Sequence, residues 1–366
     1  MGARRSAVVI GLATMAALMS MPVRAGAGTP DPFDHGLADV AAVAADDAWA
    51  VGDDLIVHWD GAAWSVAGPS IMRAHTFAAV VARNAADVWV AGWIVVQDQN
   101  APLILHFDGT TWTRFHVARP PGEAMLNDVV VMPGGVAWAV GAFDLYAPNG
   151  SRNGGLAYRF DGHDWLRVGL PTRVATLTAA TRSGRSGLWA VGMVETPLRH
   201  PAALRWNGRG WRVDRLPEYE RNTVATDVVA LGHGRVTVVG SIWFDAGPDR
   251  LAGAYIVRHE NGRWTLERRT PVAALGGVDA GPAGRQVAVG QSRPDFRAMA
   301  MGRTASGWHR LTVPATARES GLLGVDIRAA NDVWAVGWRE GTDGYADPLA
   351  MRWDGHDWTR VPVPTL

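Results

Sequence analysis

The chain has 366 residues, 48% of them hydrophobic, and carries 35 basic and 35 acidic side chains for a formal net charge of zero. That length and apolar content suit one large β domain or two smaller ones, and zero net charge gives no electrostatic case for nucleic acid or an anionic membrane as partner. There is no Cys, which excludes disulfides, thiol nucleophiles and thiolate metal sites, and every basic residue is Arg, which excludes lysine Schiff-base chemistry.

The first 27 residues read as an export signal. Arg4 and Arg5 form a basic start, Ala7 to Met21 is apolar and uncharged, and Val23-Arg24-Ala25 and Ala25-Gly26-Ala27 offer small-x-small cleavage sites. Ser6-Ala7-Val8 lacks the bulky apolar residue expected after a twin-arginine pair, so general secretion is the expected route. No later segment is apolar enough to span a bilayer. The mature protein is therefore expected to be secreted or extracytoplasmic, and the abundance of Ala, Gly and Arg points to a GC-rich bacterial genome.

From residue 28 onward one phrase recurs seven times: an apolar strand ending in Gly, a loop, a second strand, Asp-Gly or Asn-Gly, and then Trp. The copies fall at about 37–69, 76–120, 125–171, 176–217, 224–271, 275–314 and 322–364. The last is the fullest, with Trp334-Ala335-Val336-Gly337, then Trp353-Asp354-Gly355 and Trp358. Copy five replaces the first Trp by Thr237, and copy six is the most degenerate, with Val287, Gly290 and Trp308. The strand-end glycines are 40 to 51 residues apart. Four short strands at such a period predict an all-β fold, a seven-bladed β-propeller of four-stranded antiparallel blades, as a single domain over 28–366. Blades packed on both faces require near-continuous apolar strands, as in W-A-V-G. The fourth-strand Trp is expected to fill the wedge where blades diverge. Because each copy supplies four strands, blades one and seven are expected to meet by face packing.

This grammar resembles the kelch repeat and the central propeller of the galactose-oxidase type, on Trp334 to Gly337, Trp353-Asp354-Gly355, Trp358 and Pro364, with one Gly where that family has a pair. The resemblance spans essentially the whole mature chain. The family's copper site is not implied, because its cross-linked Cys–Tyr cofactor needs a Cys.

Three groups of residues are candidates for chemistry. His58, His106 and His259 occupy a repeat position that holds Arg159, Arg205 and Arg352 elsewhere, which reads as a strand-edge residue reaching solvent; no metal-binding His spacing occurs. Asp39, Asp128 and Asp227 fall at one first-strand position in alternate copies. They either ring the axial channel as a cation site or make local or interblade hydrogen bonds, and the second reading is preferred. No cofactor or metal is expected, with channel calcium left open. Third, the segments between second and third strands grow from Asp53-Asp54 to much longer stretches, on the face where propellers usually bind. They hold the expected ligand contacts Trp93, Asp98, Tyr146, Arg199, Trp243, Asp245, Trp338 and Tyr345. Fifteen of the 18 Trp are accounted for by the repeat, leaving Trp93, Trp243 and Trp338. The expected function is a non-catalytic, monomeric binding propeller for a glycan or protein. The alternative is a secreted carbohydrate-active hydrolase or lyase with acidic residues on the same face.

Overall fold

The computed structural model describes residues 36–143, 154–195, 199–217, 223–243, 251–270, 273–316 and 318–365. The export segment, Tyr146 and Asp245 lie outside these residues. The described chain is seven four-stranded antiparallel sheets, each built from four consecutive strands in sequence order. Blade 1 runs Asp39–Ala44, Asp47–Gly52, Leu55–Trp59 and Trp64–Val66. The first strands of the others are His75–Asn84, Ala124–Val131, Val174–Ser183, Thr223–Gly232, Ala273–Ala280 and Ser320–Ala329. These line the axis and the short fourth strands form the rim, so the all-β seven-bladed propeller expected from the repeat is the fold.

The strand-end glycine has a steric cause. In six of the seven blades the first strand bulges opposite this glycine, for example between Phe77 and Ala79 or Leu275 and Gly277. A β-carbon on Gly92 would lie 1.9 Å from the Thr76 carbonyl oxygen, and one on Gly290 would lie 1.9 Å from that of Ala274. The equivalent glycines of the other five blades face the same obstruction at 2.0 to 2.3 Å. The bulge turns the extra first-strand residue toward the axis, which is how Asn127, Thr178 and Thr226 reach the channel.

Tryptophan joins the blades. The second-strand Trp of one blade meets the fourth-strand Trp of the next edge to face: Trp49 with Trp112, Trp89 with Trp165, Trp138 with Trp211 and Trp189 with Trp264, at 5.5 to 5.8 Å. Trp334 of blade 7 makes the same contact with Trp64 of blade 1 at 5.0 Å, so the ring closes with the joint used at four of the other six seams. The closing seam adds Leu37 N–H to the Gly337 carbonyl at 2.9 Å and Arg352 Nη2 to the Ala45 carbonyl at 3.0 Å. Blades 1 and 7 thus meet by face packing with hydrogen bonds across the seam, each keeping four strands of its own.

Of the histidines, His58 and His106 are half-exposed as expected, and only His259 is buried. His58 and His106 lie over Trp49 and Trp89 at 4.4 and 4.2 Å, and each binds the Asp that opens its second strand, Asp47 or Asp87, at 2.9 Å. His259 is buried and holds the Gly234 carbonyl at 3.0 Å. Besides reaching solvent in part at His58 and His106, the position covers a tryptophan face, as Arg352 does over Trp334 while binding Asp332.

Candidate functional site

Two places gather polar chemistry beyond the needs of a single blade. The first is the axial channel, a cavity of about 140 Å³ lined by bulge residues and by Asp39, Asp128 and Asp227. Each of these carboxylates accepts the next N–H of its own strand and one N–H of a neighbouring blade. The interblade donors are Val80 at 2.9 Å, Ala180 at 2.6 Å and Val278 at 2.7 Å. Asp279 and Asp326, two positions further along the first strands of blades 6 and 7, do the same to Ile327 at 2.7 Å and Ala42 at 3.3 Å. Thr178 and Thr226 donate to the Ala225 and Leu275 carbonyls of the following blade. The channel carboxylates are thus interblade clasps, the preferred sequence reading, and among the described residues no three metal-ligating side chains stand together. Burial pushes Asp39 up to about 6 and Asp227 up to about 7 against the pull of their N–H donors. Burial likewise raises Asp128, Asp279 and Asp326, and neighbouring channel carboxylates add to the rise for Asp128 and Asp326.

The second place is the face bearing the second-to-third-strand connections. Several of these are extended hairpin arms rather than the loops expected. In blade 2 the strands Asp87–Val96 and Gln99–Phe107 leave only Gln97 and Asp98 as the turn, with φ of 52° and 57°. Such a two-residue turn with positive φ matches the twist of a hairpin. Trp93 is half-buried on this arm, opposite Thr76 and Pro102, and Asp98 is exposed at its tip. Arg199 opens the third strand of blade 4 opposite Glu195, and Trp243 ends the second strand of blade 5 opposite Leu251. Tyr345 is exposed in blade 7, its N–H held by the Asp343 carboxylate at 3.0 Å. Trp338 is 2% exposed. It is packed so closely that a β-carbon on Gly36 would meet its own at 3.1 Å, and one on Gly321 would meet its indole nitrogen at 2.9 Å. Its ring belongs to the packing at the closing seam, with Leu323 and Ala346.

On the same face, the seam of blades 6 and 7 holds a charged cluster that the sequence reading did not assemble. Arg293 and Arg297 come from the blade 6 connection, Glu319 from the segment leading into blade 7, and Glu340 from the end of the second strand Asp332–Glu340. Glu340 N–H donates to the Glu319 carbonyl at 2.8 Å, which sets the two side chains on adjacent strands, and Arg318 Nη1 lies 3.4 Å from Glu340 Oε1. Arg293 stacks on Phe296 at 4.5 Å. Below, Ser320 Oγ accepts the Ala298 N–H at 2.9 Å and meets Thr316 Oγ1 at 2.7 Å, which fixes the floor. Glu319 is held above its usual range by burial first and by the charge of Glu340 second, against the pull of Arg297 and Arg293. Its Oε2 is sealed from solvent and meets no hydrogen-bond donor among the described residues. Arg293 and Glu340 stand in segments the sequence flags, but Glu319 lies in a linker outside the repeated phrase. The signal that finds it is an acidic residue directly before a first strand.

These features define a seven-bladed β-propeller with a charged, half-buried cluster on its long-arm face. No protein-family profile matches the chain, and no curated protein matches it. It is similar in fold to a structure described as YCF48 bound to D1 peptide, at 14% identity and TM-score 0.57 over 92% of this chain and 94% of that one. A PL25 ulvan lyase bound to -[GlcA(1-4)Rha3S]- matches at 12% identity and TM-score 0.55 over 77% of this chain and 81% of that one. The GH74 xyloglucanase of Xanthomonas campestris matches at 17% identity and TM-score 0.61, over 89% of this chain but 54% of the enzyme. At these identities the likeness is one of fold.

Proposed function

We propose that this protein is a non-catalytic binding propeller that takes a glycan or an exposed peptide on its long-arm face, centred on the seam of blades 6 and 7. The observation that carries this reading is the charged cluster at this seam, with Glu319 half-buried beside Glu340, Arg293 and Arg297. A sugar hydroxyl or a peptide N–H donates to these carboxylates while the arginines orient the rest of the ligand. Trp93, Asp98, Arg199, Trp243 and Tyr345 are the further proposed contacts on this face, together with Tyr146 and Asp245. Fold neighbours whose descriptions name a peptide and a glycan support this choice of ligand classes. A kelch-like or galactose-oxidase-type ancestry, export by the first 27 residues and an extracytoplasmic bacterial setting complete the proposal.

One observation favours the second reading, a carbohydrate-active hydrolase or lyase. Glu319 keeps its proton to higher pH beside a second carboxylate, which is how a general acid is made. Binding of the purified protein to glycan and peptide arrays decides between them, with Glu319→Gln and Trp93→Ala in parallel. Binding is expected without release of reducing ends, and Glu319→Gln is expected to weaken it about tenfold, equivalent to ~1.4 kcal/mol. Turnover of a polysaccharide that Glu319→Gln abolishes would replace the binding reading by the enzymatic one. Binding that ignores Glu319→Gln would move the site off this seam.

A further inference from the structure

The short turns joining first to second strands and third to fourth strands lie on the face opposite the long arms. The charge of the ring as a whole is divided between blades. Residues 173–315, blades 4 to 6, carry 20 Arg against 11 Asp and Glu; residues 36–172 and 316–366, the other four blades, together carry 12 against 22. At the turns themselves, blades 4 and 5 expose Arg182, Arg185, Arg209 and Arg263. The turns of blades 7, 1, 2 and 3 expose Asp46, Asp60, Asp108, Asp164, Asp354 and Asp357, while the one arginine exposed there, Arg83, is paired with Asp87.

The fold does not require this division. Asp60 Oδ1 caps its turn by accepting the N–H groups of Ala62 and Ala63 at 2.8 Å. Asn207 Oδ1 caps the equivalent turn of blade 4 with the same two bonds at 3.0 Å. Asp and Asn serve the turn alike, and blade 5 has Asn261 at this position. Stability alone favours Asp beside Arg209 and Arg263, since adjacent opposite charges attract. The chain has uncharged Asn at both, and keeps Asp where no arginine compensates it.

We propose that this face docks a second copy of the chain in a two-fold dimer, the arginine half of each face covering the aspartate half of the other. A two-fold axis along the boundary between the halves brings opposite charges together twice, and the interface is self-complementary as an isologous contact must be. An acidic polymer would use the arginine half and be repelled by the aspartate half; a second copy uses both. None of the exposed large hydrophobic residues, Val66, Met72, Leu166, Leu266 and Tyr345, lies in these turns. Association therefore rests on charge complementarity and is labile to salt. The long-arm faces point outward and stay open.

Sedimentation of three proteins tests this. One is wild type, one carries Arg182→Glu, Arg185→Glu and Arg209→Glu, and one carries Asp46→Arg, Asp164→Arg and Asp357→Arg, which leaves the turn-capping aspartates in place. Wild type is expected to dimerise at about 0.02 M salt and to be monomeric at about 0.5 M, where the screening length falls several-fold. Each variant alone is expected to be monomeric at low salt, and an equimolar mixture of the two is expected to form a heterodimer. That regained association excludes misfolding as the cause of the loss. Wild type that stays monomeric at low salt overturns the proposal, as do variants that each dimerise like wild type. Binding of heparin or DNA by wild type without dimerisation also overturns it and assigns the arginine half to an anionic polymer.

Discussion

At the scale of single residues, the repeated Gly and Trp hold the propeller together for different reasons. The strand-end glycine is needed because the bulged first strand points a carbonyl at it, not because its backbone is left-handed. Gly290→Ala would drive a methyl to 1.9 Å from the Ala274 carbonyl oxygen, with backbone on both sides and no flexible side chain to give way. The expected cost is about 3 kcal/mol, at the upper end of overpacking penalties. Gly169 is a suitable control, since a β-carbon there meets nothing within 4 Å. Gly169→Ala should stay within about 0.5 kcal/mol of wild type. Urea unfolding of the two variants checks this, and equal midpoints would remove the steric account. The glycines were plain in the sequence as a repeat; the carbonyl they avoid was not, because a bulge has no residue signature of its own.

At the scale of elements, the four-strand blade is legible because a period of 40 to 51 residues, Asp-Gly turns and near-continuous apolar strands agree on one answer. What was not legible depends on contacts between copies. The second-strand Trp reads in the sequence only as a repeat position, yet its ring meets the fourth-strand Trp of the next blade. The long connections looked like loops because Gln97-Asp98 and similar polar pairs break the apolar pattern, but cross-strand pairing carries the arms outward. Trp338 looked spare to the repeat, and is buried because Gly36 and Gly321 leave room for it. Glu319 was missed because linkers have no repeat position to compare. The Trp joint gives a direct expectation at the closing seam. Trp334→Ala should cost about 3–5 kcal/mol as a large-to-small core change. A double-mutant cycle of Trp334 with Trp64 should return a coupling of about 0.5–1.5 kcal/mol. Coupling within error of zero would mean that the T-shaped contact at 5.0 Å contributes only area.

At the scale of the whole molecule, the ring brings together carboxylates that no stretch of sequence places side by side. Asp39, Asp128, Asp227, Asp279 and Asp326 come from five blades and converge on one narrow channel. Each clasps a neighbouring blade, so closure and electrostatics are linked. A protonated carboxyl still accepts the neighbour's N–H through its carbonyl oxygen, so protonation keeps the clasp and removes the repulsion. The sign follows. An unfolded Asp titrates near 3.9, while Asp39 and Asp227 titrate at about 6 and about 7 in the fold. Between those limits the folded state holds protons that the unfolded chain has lost. The contribution is fully present below pH ~4 and is lost as pH rises through ~6 to ~7. The buried Asp87 and the half-buried Glu267, held low by hydrogen bonds from His106 and Arg303 against their burial, act in the opposite sense and only at lower pH. The melting temperature should therefore fall as pH rises from about 4.5 to about 7.5. Asp227→Asn, which keeps an acceptor for the Val278 N–H and carries no charge, should flatten that slope and raise the melting temperature at the alkaline end relative to wild type. A melting temperature that climbs over this interval, or an Asp227→Asn slope equal to wild type, would show that the clasps stay ionised and that their N–H donors outweigh their burial.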